Sequence, residues 1–198
     1  ELYAYTRFAF NDAWQYRFPT VVLTDGLLVK TRQLVDFDVQ LKNVPAIPQV
    51  SETTQKNIRN IYTFEEELAE KLRIDKKDFD ALSPNVEKFE NYQAENCDTL
   101  IIAHGIVASA AKEAVGSLRA QGKNVGLFRP ITLSPFPATE LNRFSRKVKK
   151  IYIVESSLGQ LRDLVKQNLE VGIAVDGLYK PAEGIESEEI VSRLMIVD

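Results

Sequence analysis

From Asp98 onward the sequence keeps one rhythm, short apolar runs of four to six residues alternating with ten to fifteen residues at helical spacing. Thr99 to Ala103 reads as a buried strand, Val107 to Ala120 as a helix ended by Gly122, and Val125 to Phe128 as the next strand. After a proline-rich turn, Ala138 to Val148 reads as helix, Ile151 to Val154 as strand and Leu158 to Asn168 as helix. Val171 to Val175 alternates like a strand, and Glu186 to Met195 closes with a helix. Strands this short and apolar, separated by helices, need crossover connections, and the crossovers cover both faces of a mainly parallel sheet. The expectation is an α/β domain over about residues 96–198.

The upstream sequence has no such rhythm. Tyr3 to Tyr16 spaces Phe8, Trp14 and Tyr16 as a helix would, and Arg17-Phe18-Pro19-Thr20 stops it before Val21-Val22-Leu23-Thr24, a short buried strand by composition. Asp25-Gly26 turns the chain, and Leu27 to Val39 has no assignable period. Pro45 and Pro48 frame Ala46-Ile47, and the polar residues that follow to Tyr62 read as a linker with a boundary near Pro45. Thr63 with Glu66 makes a capping-box pattern, and Phe64, Leu68 and Leu72 recur at i, i+4, i+8, so an amphipathic helix starts there. Asp75 to Asn96 is charged, with Phe79, Leu82, Val86 and Phe89 as anchors, which suits one or two short helices with solvated acidic faces. The division is then residues 1–45, a partly helical connector over 46–95, and the α/β domain.

Residue counts narrow the function. The chain carries 25 Lys+Arg against 28 Asp+Glu and its only basic run is Arg143 to Lys150, which argues against duplex binding. One Cys and one His exclude an intrachain disulfide and any zinc site or iron–sulfur cluster built from these ligands alone, since such sites need three or four. Cys97 and His104 flank one strand, more than ~20 Å apart at 3.3 Å per residue, so they form no dyad. No apolar run approaches the ~20 residues of a membrane span, and Glu1-Leu2-Tyr3-Ala4-Tyr5-Thr6-Arg7 lacks a signal-peptide layout, so the expected location is cytoplasmic. A start at Glu1 reads as a processed chain or an excised fragment. Gly-x-Ser-x-Gly is missing, which removes the nucleophile elbow of a hydrolase.

Three motifs sit where α/β sheets place ligands, at strand carboxyl ends. His104-Gly105-Ile106 follows a strand and opens the small-residue helix Ala108-Ser109-Ala110-Ala111; it is a candidate anion turn, although Gly105 stands alone and the next glycine is Gly116. The economical reading is a tight turn with a structural imidazole. Arg129-Pro130-Ile131-Thr132-Leu133-Ser134-Pro135-Phe136-Pro137 holds three prolines and must be rigid. It is either a stiff connector, with Phe136 plugged into the core and Pro137 opening the next helix, or a preformed surface for another chain. Arg129, Pro130, Phe136 and Gln160 are thus candidate interface or interdomain contacts. In Val154-Glu155-Ser156-Ser157-Leu158-Gly159-Gln160-Leu161, Ser156 or Ser157 suits the N-cap, and a carboxylate at Glu155 suits the helix dipole. Glu155 and His104 share one edge, yet no nucleophile, metal set or second carboxylate joins them. Arg143, Arg146, Lys147, Lys149 and Lys150 read as a solvated helix end.

The stretch Arg129 to Pro137, followed by Ile153-Val154-Glu155-Ser156-Ser157-Leu158-Gly159-Gln160, resembles the C-terminal domain of the alpha subunit of thiamine-diphosphate-dependent 2-oxoacid:ferredoxin oxidoreductases. Ala9-Phe10-Asn11-Asp12-Ala13 and Pro19 to Gly26 resemble the end of that subunit's pyrimidine-binding domain, while Lys42 to Asn96 matches only as a variable, charged connector. Family members often carry Trp where Ser134 stands and Asn within the stretch matching Ser156 to Leu158; Gly159-Gln160 is retained. The resemblance implies a transketolase C-terminal-like α/β domain, preceded by a helix-strand remnant and a helical connector, that serves packing and subunit assembly. The whole enzyme would oxidatively decarboxylate a 2-oxoacid with coenzyme A and pass electrons through iron–sulfur clusters to ferredoxin or flavodoxin. Its thiamine diphosphate would lie between the missing first domain and a thiamine-binding beta subunit, so no catalytic, cofactor-binding or metal residue carries over and this chain alone is expected to be inactive. The alternative is a stand-alone α/β module that binds a small anion at the His104-Gly105 turn and the helix start near Leu158.

Overall fold

A run of apolar residues becomes a strand only when a neighbour takes its backbone groups, and this rule separates the two halves of the chain. The computed structural model describes residues 1–37, 59, 61–170 and 172–196. They fall into two units, Glu1–Val86 and Glu87–Asp198. The linker expected around Pro45 and Pro48, with its boundary, lies outside the described residues.

In the first unit, helix α1 (Leu2–Tyr16) forms where the aromatic spacing places it and ends at Arg17, in the left-handed region with φ 62°. The Arg17 guanidinium lies 4.5 Å from the Trp14 ring centroid. Val21 to Thr24, expected as a strand, is irregular: it has no ladder partner among the described residues, and Val21 and Leu23 are 76% and 74% exposed. Asp25 accepts the Leu27 and Leu28 N–H groups at 2.9 and 2.8 Å and starts a single 3₁₀ turn, Leu28–Lys30. Helix α2 (Glu65–Val86) is one helix of 22 residues where a helix and one or two shorter ones were expected. Ion pairs one turn apart, Lys71 with Asp75 and Lys76 with Asp80, lace its charged middle. Pro84 sits in the last turn, where its missing donor removes one bond without ending the helix early.

The second unit is a sheet of five strands in the order β1-β3-β2-β4-β5. Strands β2 (Thr99–Ile102), β3 (Val125–Pro130), β4 (Lys150–Glu155) and β5 (Ala174–Tyr179) pair in parallel, and β1 (Phe89–Tyr92) adds antiparallel to β3. The fold class is as expected, α/β with a mostly parallel sheet. Alternate residues serve opposite faces. Ile101, Leu127, Tyr152 and Val154 pack under α3 (Val107–Ala120) and α6 (Ser187–Ile196), while Leu100, Ile102, Phe128 and Ile153 pack under α4 (Ala138–Ser145) and α5 (Gln160–Asn168). Both faces are covered, which is why β2 is buried at every position.

Three differences from the sequence expectation have physical causes. β1 lies within the stretch read as charged helix; as an edge strand it buries only part of each side chain, and its charged residue Glu90 sits opposite Arg129. That pairing extends β3 to Pro130. β5 starts three residues later than the alternation suggested, because its ladder with β4 runs from Lys150↔Ala174 to Glu155↔Tyr179. Gly126 is a close approach of backbone to backbone: an added Cβ would lie 2.5 Å from both Ala94 Cα and the Gln93 carbonyl oxygen.

Candidate functional site

The parallel strands deliver His104 after β2, Arg129 near the end of β3 and Glu155 at the end of β4 to one edge of the sheet, so the fold groups the three motif regions. At β4 the chain fills its own helix N-terminus. Glu155 is 2% exposed; its Oε2 accepts the Leu161 N–H at 2.8 Å and its Oε1 accepts the Arg162 N–H at 3.1 Å. Ser157 donates its hydroxyl to Oε2 as well. These are the orphan donors of α5's first turn, satisfied by a carboxylate reaching from the preceding strand. The expectation that Ser156 or Ser157 is the N-cap is therefore corrected. The N-cap position is Gly159, which has no side chain to give, and Ser156 instead donates to the Glu183 carbonyl at 2.8 Å. Glycine is favoured there because φ is 103°.

Leu158 and Gln160 stand out from this anchored turn. Leu158 is 74% exposed, and Gln160 is exposed with its Oε1 accepting the Leu158 N–H at 2.7 Å. Gln160, a candidate interface or interdomain contact, thus faces away from the core of its own unit. The buried side of α5 is set by Leu161 and Val165, four residues apart, and Gln160 falls outside that stripe.

Of the other candidate contact residues, Pro130 and Phe136 are buried and Arg129 has a side chain 17% exposed. Arg129 donates to Glu90 at 3.0 Å, and Lys112 reaches the other oxygen of Glu90 at 2.5 Å. Lys112, with Arg129 adding, holds the Glu90 carboxyl below the usual range against the opposing effect of burial. Phe136 joins the core that contains Phe128, Leu141 and Phe144, and Pro137 is the N-cap residue of α4. The Ile131 and Thr132 N–H groups both donate to the Lys88 carbonyl, at 2.9 and 3.1 Å, which pins the loop beside β1. Its Ser134–Pro135 bond is cis.

His104 is half-buried, and Gly105 turns the chain with φ 58°. Burial pushes the imidazole pKa down; Glu155 pulls it up and Arg129 pushes it down further. Both Glu155 oxygens already accept backbone N–H groups of α5. Cys97 is buried at the far end of β2, and burial pushes its thiol up to about 11. The basic run is paired at the surface: Arg143 with Glu95 and Glu140, Arg146 with Glu170, Lys149 with Asp98. Among the described residues no three His, Cys, Asp or Glu side chains could hold a metal ion, and no helix is long and apolar enough to cross a membrane. At the end of β4 the start of α5 is filled by the chain's own Glu155. The sequence places the Glu155 carboxylate near the helix dipole, but a cap five residues upstream of a helix has no local pattern that names the N–H groups it takes.

Residues 97–188 match the family described as pyruvate:ferredoxin oxidoreductase core domain II. Ketoisovalerate oxidoreductase subunit VorB of Methanothermobacter marburgensis is 29% identical over 191 residues, which cover 94% of this chain and 50% of VorB. 2-Oxoglutarate synthase subunit KorA of Methanocaldococcus jannaschii is 27% identical over 221 residues, covering 92% of this chain and 59% of KorA. The solved 2-oxoglutarate:ferredoxin oxidoreductase from Magnetococcus marinus has the same fold, with a TM-score of 0.58 at 24% identity over 69% of this chain and 24% of that one. The chain is a homologue of 2-oxoacid:ferredoxin oxidoreductase subunits and corresponds to part of one. It spans about half the length of the curated relatives it matches.

Proposed function

We propose that this chain is the C-terminal part of the alpha subunit of a 2-oxoacid:ferredoxin oxidoreductase and serves packing and subunit assembly rather than chemistry. The observation that carries this reading is the similarity to VorB, which runs through 94% of the chain and so joins both units in one subunit. The filled start of α5 supports it, since at that strand end the helix donors that could meet a ligand are taken by Glu155. On this reading residues 1–45 end a pyrimidine-binding domain, a connector follows from 46, and the transketolase C-terminal-like domain, expected over 96–198, takes in β1 as well. Arg129, Pro130 and Phe136 shape a rigid loop, and Gln160 with Leu158 is available to a neighbouring subunit.

The assembled enzyme would convert a 2-oxoacid and coenzyme A to acyl-CoA and carbon dioxide, handing two electrons to ferredoxin or flavodoxin in the cytoplasm. Thiamine diphosphate would supply the decarboxylation chemistry in the assembly. A four-cysteine cluster does not fit a chain whose only cysteine is Cys97, so the iron–sulfur clusters would lie outside this chain. The anion-module alternative loses its helix site, because the Leu161 and Arg162 donors are already taken.

Purification from the source organism through a C-terminal tag, without oxygen, tests the proposal. The expected result is co-purification of a thiamine-binding subunit and iron–sulfur proteins. The complex should reduce a low-potential dye with pyruvate, 2-oxoglutarate or 2-oxoisovalerate only when coenzyme A is added. A single-chain species that reduces nothing would refute it.

A further inference from the structure

We draw no further inference here: the strongest candidate, the exposed apolar side chains on the surface of the first unit, among them Phe10, Trp14, Leu23 and Leu72, carries nothing because nothing in the structure shows what covers them.

Discussion

Replacing Glu155 by alanine isolates the contact that fills the start of α5. The substitution removes an acceptor from the N–H groups of Leu161 and Arg162 and from the Ser157 hydroxyl, in a site 2% exposed where water reaches poorly. Loss of a helix cap alone costs ~0.5–2 kcal/mol. A buried donor left unsatisfied costs ~1–3 kcal/mol, and the losses overlap because all three donors share one carboxylate. The combined expectation is about 2–4 kcal/mol for Glu155→Ala. Glu155→Gln keeps an acceptor oxygen and loses the charge that faces the helix dipole, a smaller loss of about 1–2 kcal/mol. Urea denaturation of the chain and its variants, with amide exchange read along α5, separates the effects. Glu155→Ala should lower the midpoint more than Glu155→Gln, and protection should fall first at Leu161 and Arg162. An unchanged midpoint with unchanged protection of those two amides in Glu155→Ala would refute the capping role.

Further tests follow from the same geometry. Gly126→Ala puts a methyl group 2.5 Å from the Ala94 and Gln93 backbone, which cannot yield as a side chain would. It should cost at least ~1–3 kcal/mol, and a melting temperature equal to the parent's would contradict the tight approach. His104 is the only histidine, so its ring protons titrate without overlap in an NMR spectrum. Because burial lowers the folded pKa, the unfolded chain binds the extra proton first, and stability should rise with pH between the folded and unfolded midpoints. A folded midpoint at or above that of free imidazole would reverse the assignment. Cys97, buried with its thiol raised to about 11, should resist a thiol reagent at mildly alkaline pH until denaturant is added. Rapid labelling of the native chain would show that the end of β2 is open.

Local pattern alone determined the β2, α3, β3 succession. Leu100 to Ile102 must be buried on both faces, the helix from Val107 has one apolar stripe, and three prolines force a stiff loop that ends with Phe136 in the core. The motif residues of the candidate site were legible for the same reason, as strand ends are visible where an apolar run stops. Tertiary structure decided what each residue does there. Val21 to Thr24 has the composition of a strand and no ladder partner among the described residues, whereas Phe89 to Tyr92 looks like charged connector and becomes a strand because β3 lies beside it. Glu155 could have been a free carboxylate at an open edge. It became a cap because the path from β4 into α5 brings the Leu161 and Arg162 N–H groups back onto it, and such a contact depends on three-dimensional distance rather than on residue type.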